Sequence, residues 1–75
     1  MHDAISLASE ISRCAAVSVR HRGNAETDPA YRDLWIASSD RHRARYRTLA
    51  DTARRRPDPE MARALDLFGH GSVLD

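Results

Sequence analysis

The chain has 75 residues, 41% of them hydrophobic and 31% charged, with a formal net charge of +1. That length allows one domain at most, with a core small enough that a partner or a second copy is an expected source of stability. The single cysteine, Cys14, excludes an internal disulfide, and no apolar run approaches the roughly 20 residues that a membrane span needs.

All twelve basic side chains are Arg. Their distribution is uneven: residues 20–56 carry ten of them against Glu26, Asp28, Asp33, Asp40 and Asp51. Residues 57–75 set only Arg63 against Asp58, Glu60, Asp66 and Asp75. A basic interior between acidic ends favours a protein partner over a nucleic acid. The opening MHDAISLASE has no basic stretch leading into an apolar one, so no secretory signal is expected and the chain reads as cytoplasmic.

The periodicities predict an all-α fold, a small bundle of three or four helices that could self-associate, with residues 1–75 as one domain. The first helix is expected from Asp3 to Arg22. Asp3 caps its start, Gly23 supplies a left-handed stop, and Ala4, Leu7, Ala8, Ile11, Cys14, Ala15 and Val19 form its apolar face. The second is expected to open at Asp28-Pro29 and to run to Arg56, because Pro57 disfavours helix in the residue before it. Within it, Ser38-Ser39-Asp40 repeats a capping signal, so this span is either one helix or two with a bend. The third opens at Asp58-Pro59, presents Met61, Leu65 and Phe68 at i, i+4, i+7, and stops at Gly69. The last residues, 69–75, are expected to be a mobile tail.

Few residues suggest catalysis. His2, His21, His42 and His70 have no clustered ligand set beyond Asp66 four residues before His70, so neither a metal nor another cofactor is expected. Cys14 lies on an apolar face and reads as a small hydrophobe. FGHG follows a helix instead of leading one, unlike a phosphate loop. No carboxylate pair stands out for acid–base work, so the protein is expected to be non-enzymatic.

The stretch WIASSDRHRARYRTLADTARRR, Trp35 to Arg56, holds seven of the arginines. At about 100° per residue, Tyr31, Leu34, Trp35, Ser38, His42, Tyr46, Leu49 and Ala53 share a face. Trp35, His42, Tyr46 and Leu49, with Leu65 and Phe68, are the expected core, and truncating Trp35 is expected to unfold the domain at a cost of about 3–5 kcal/mol. His42 reads as a half-buried ring bonded across to another helix, or alternatively as a pH-sensitive contact. Arg43, Arg47 and Arg54 fall opposite, interleaved with Asp33, Asp40 and Asp51, and Asp51 is placed to pair with Arg47 or Arg55. Interleaved acids suit a protein-contacting face better than a phosphate-tracking one. With Ile36 among them, Arg43, Arg47 and Arg54 are the expected partner contacts.

The spacing of Trp35, His42, Tyr46 and Leu49 in WIASSDRHRARYRTLAD resembles the Trp-containing segment of the N-terminal cytoplasmic domain of FecR-family sigma-factor regulators. PDPEMARAL, Pro57 to Leu65, is similar to the segment that follows it, and with the first helix the resemblance spans residues 4–66. Val17 and Arg32 stand near positions where that family carries aromatic residues. The resemblance implies a helical domain, often self-associating, that binds an extracytoplasmic-function sigma factor. Full-length members continue into a transmembrane helix and a periplasmic domain that takes part in cell-surface signalling for iron-siderophore uptake. On this reading the chain is an anti-sigma domain, excised or from a short relative. The alternatives are a free-standing helical inhibitor or adaptor of another protein, and an Arg-rich nucleic-acid binder.

Overall fold

The computed structural model describes residues 3–56 and 58–75. Expectations that fall on Met1, His2 and Pro57, including Pro57 as the stop of the second helix, lie outside the described residues. The described chain is all-α: α1 (Ala4–Thr27), α2 (Arg32–Arg54) and α3 (Pro59–Leu67), with short 3-10 turns at Pro29–Tyr31 and Gly71–Leu74.

α1 begins where the sequence places it, with Asp3 Oδ1 accepting from the Ser6 N–H at 2.7 Å. It does not stop at Gly23. Gly69 is the one described glycine with positive φ, and α1 continues for another turn, burying Ala25 to 5% exposure. The helix ends at Thr27 because Asp28 precedes Pro29 and adopts a non-helical ψ of 77°. Asp28 therefore ends α1; its side chain does not cap the element that follows.

α2 is one uninterrupted helix through Ser38, Ser39 and Asp40, so the bend does not occur. α3 opens as expected, with the Met61 N–H bonded to Asp58 Oδ1 at 3.3 Å. It closes in a Schellman arrangement: the His70 N–H reaches Leu65 O at 2.8 Å, and the Gly69 N–H reaches Asp66 O at 3.0 Å. Gly69 has φ +77°, so Gly69→Ala is expected to cost about 1 kcal/mol, lowering the melting temperature by roughly 4–8 °C; a thermal melt followed by circular dichroism reads this directly.

The tail, expected to be mobile, packs against the helices in this structure. Residues 71–74 form a 3-10 turn that buries Val73 to 3% exposure, and Arg54 Nε donates to Val73 O at 2.7 Å. The same guanidinium pairs with Asp51 Oδ1 at 2.9 Å. Asp51 thus takes Arg54 three residues on, instead of Arg47 or Arg55.

The core is confined to one end of a long molecule, 45 × 20 × 19 Å. Ala4, Leu7, Ala8, Ile11 and Cys14 from α1 meet Leu49, Ala50 and Ala53 from α2, and Met61, Ala64, Leu65 and Val73 close over them. The alanines let α1 and α2 approach closely, and the larger side chains of α3 fill the groove between them. Leu49 and Leu65 are buried, with Tyr46 and Phe68 packed against the cluster. Trp35 and His42 lie outside it, half-buried. Val19, Leu34 and Tyr31 are 75%, 67% and 59% exposed, which removes them from the expected apolar faces. All are in the half of the hairpin that α3 does not reach.

Candidate protein-binding face

Beyond the core, α1 and α2 are joined by polar contacts. Ser39, only 1% exposed, donates from Oγ to Ser18 O at 2.8 Å, and Ser18 Oγ donates to Ser39 O at 3.0 Å. These reciprocal bonds satisfy two hydroxyls that would otherwise carry a desolvation penalty. One turn on, Ser38 Oγ lies 2.7 Å from His21 Nδ1, and Ser38 O lies 2.8 Å from His42 Nδ1. A carbonyl only accepts, so His42 carries its proton on Nδ1 there. The His42 hydrogen bond therefore stays within its own helix. Its contact across the hairpin is ring to ring, edge-on to His21 with centroids 5.6 Å apart. Trp35 stacks edge-on against His21 at 5.0 Å and donates from Nε1 to Asp28 Oδ2 at 3.0 Å.

Nearer the core, Glu10 on α1 accepts from Arg13 and from Arg45 Nε, the latter at 3.5 Å. The Arg13 hydrogen bond is the largest influence on its carboxyl, and together with the Arg13 and Arg45 charges it outweighs desolvation and lowers the pKa from 4.5 to about 2. A carboxyl lowered on folding stabilises the native state above its unfolded pKa, and that stabilisation is lost as pH falls towards 2. Both arginines are more than half exposed, so screening holds the effect to about 1 kcal/mol at most. Glu10→Gln is expected to flatten the decline in stability between pH 5 and pH 2, as read from urea midpoints across that range. Burial, the largest effect on Cys14, pushes its thiol up, and the side chain is 0% exposed, which fits the role of a small hydrophobe.

The four expected partner contacts fall on one stripe of α2, within about 20° of Ile36 on a helical wheel. That stripe flanks the packed face of α2 instead of opposing it, because Ser39 and Ala50, both buried, lie beside it. Arg54 is committed to Val73 O and Asp51. Arg47 is exposed. Ile36 is half-buried and shares a hollow with Arg22, Ala25, Glu26 and Arg32. Arg43 borders a cleft of about 300 Å³ with Ala15, Ser18, Val19, Arg22, Ser39 and Tyr46. The structure thus brings Ile36 and Arg43 to one side of the hairpin and assigns Arg54 a structural tie. The α1 half of this face, Ala15, Val19 and Arg22, was not expected: the spacing of Ala15 and Val19 places them on the apolar face of the first helix, and only the length of α3 reveals that this part of the face is uncovered.

A further hollow, of about 560 Å³, lies at the opposite end between α1 and α3 and is lined by Asp3, Ala4, Ile5, Glu60, Arg63, Ala64 and Leu67. Among the described residues, no three of His, Cys, Asp and Glu gather as they would around a metal ion, and no helix is long and apolar enough to cross a membrane. No protein-family model, curated protein or solved structure matches the chain.

Proposed function

We propose that this chain is a non-enzymatic regulatory domain that binds an extracytoplasmic-function sigma factor in the cytoplasm and thereby controls transcription, iron-siderophore uptake genes being the expected targets. The observation that carries a protein-binding role is the uneven coverage of the hairpin. α3 spans about 14 Å of the roughly 36 Å of α1, at 1.5 Å per residue, and leaves Val19 at 75% exposure beside arginines on both helices. Arg and exposed apolar side chains together favour a protein surface as partner. The class of partner rests on the resemblance of Trp35, His42, Tyr46 and Leu49 to the FecR-family segment.

The test is co-expression with the extracytoplasmic-function sigma factors of the same genome, followed by size exclusion with light scattering. The expected result is a stable complex with one of them. Recovery of free chain alone from every pairing would reject the sigma-factor reading. Duplex DNA is the control: no binding is expected at low salt, whereas affinity falling steeply with salt would support a nucleic-acid role instead.

A further inference from the structure

We propose that the groove between α1 and α2, filled by α3 at one end, is a docking site at its other end for an acidic amphipathic helix of a partner protein. This rests on the protein-binding reading above and specifies its surface. Ala4, Ala8, Ile11, Ala15 and Val19 follow one another at intervals of four, three, four and four residues, one continuous stripe of α1. The first three are buried beneath α3 and its neighbours, at 6%, 0% and 0% exposure. Ala15 is half-buried and Val19 is 75% exposed. The stripe does not change character; its cover ends.

The boundary is marked by two rings. Tyr46 of α2 and His70, just past α3, lie with centroids 6.4 Å apart. Tyr46 also walls the open cleft that holds Ala15, Val19, Ser39 and Arg43. His70 lies beside Ser12, Ala15, Ala16, Val19 and Arg20 around a second hollow of about 490 Å³ on the other flank of Val19. Beyond the cleft the groove continues past Arg22 to Ala25 and Ile36. From Ala15 to Ala25 it runs about 15 Å, room for roughly three turns of helix. Its floor of Ala, Ser and Val suits the close approach of another helix, as the alanines do beneath α3.

The charge around this floor selects the occupant. Arg22 and Arg43 stand on opposite walls of the cleft, and Arg32 stands beside Ile36 at its far end. Among the described residues, the sole ion pair made by these three is Arg22 with Asp40, a loose 3.9 Å contact with both side chains 63% exposed. Glu26 is the lone carboxylate lining these hollows. A helix with a small apolar stripe flanked by carboxylates meets this pattern, while one flanked by lysines is repelled.

The experiment uses the full chain, 15N-labelled, and two helical peptides of about 14 residues that share a Leu/Ala stripe and differ in flanking Glu or Lys. The Glu peptide is expected to shift the amides of Ala15, Val19, Arg22 and Arg43, and to bind about tenfold or more tightly than the Lys peptide. Val19→Glu, at an exposed position, is expected to leave the melting temperature unchanged and weaken the Glu peptide about tenfold or more. The double charge reversal Arg22→Glu with Arg43→Glu is expected to invert the preference. Shifts that map elsewhere, equal affinity for both peptides, or a preference unaltered by the reversal would overturn the proposal. If the Glu peptide docks here but every sigma factor fails to bind, the sigma-factor reading alone falls. If a sigma factor binds Val19→Glu and the double reversal as tightly as the unaltered chain, the groove alone falls.

Discussion

Leu65→Ala is expected to lower stability by about 2–5 kcal/mol, a large share of the roughly 4–11 kcal/mol that a domain of this length has. Leu65 is 0% exposed at the centre of the cluster where α3 meets α1, and truncation there leaves a cavity that the short α3 has little freedom to collapse. Trp35→Ala is expected to cost less, although Trp is the larger side chain. It removes one hydrogen bond to Asp28 and an edge contact with His21, both outside the core and in contact with solvent. This reverses the ranking that size alone suggests. Urea denaturation of both variants followed at 222 nm decides it. A Trp35→Ala protein less stable than Leu65→Ala would place the energetic centre in the polar half of the hairpin.

Ser39→Leu is the second substitution with a large expected effect. It sets a branched side chain where a hydroxyl fits at 1% exposure, and breaks the bond to Ser18 O. Overpacking costs about 1–3 kcal/mol, with about 1 kcal/mol more for the lost hydrogen bond. The consequence should be local: faster amide exchange in residues 17–42, with residues 4–14 still protected by the core. Ser39→Ala, which leaves no clash, should cost about 1 kcal/mol or less. Uniform acceleration along the whole chain in Ser39→Leu would show that the seam and the core open together.

What the sequence reveals of this fold is what depends on local spacing. The all-α class, the caps at Asp3 and Asp58 and the stop at Gly69 all rest on contacts three to five residues apart. Gly23 carries the same signal as Gly69 yet does not end α1, because Ala25 finds a buried place one turn on and Pro29 provides a later stop. Ser38-Ser39 reads as a break because hydroxyls often compete for nearby backbone. Here Ser39 and Ser38 instead reach Ser18 and His21, 21 and 17 residues away, a pairing visible only once α1 and α2 are side by side. Tertiary contacts also fix the tail, through Val73 and Arg54. Apolar spacing puts Trp35 and His42 in the core, and Val19 and Leu34 on packing faces, without regard to the length of α3, so neither the position of the core nor the open face at Ala15 and Val19 is legible in it.

The proposal that this domain recognises a sigma factor through protein contacts is tested most directly by isothermal titration of this chain into each extracytoplasmic-function sigma factor of the same genome, at physiological salt. The expected result is saturable one-to-one binding at about micromolar Kd or tighter, equivalent to about 8 kcal/mol. A folded chain that gives no binding heat with any of them, and whose melting temperature none of them raises, would contradict the proposal.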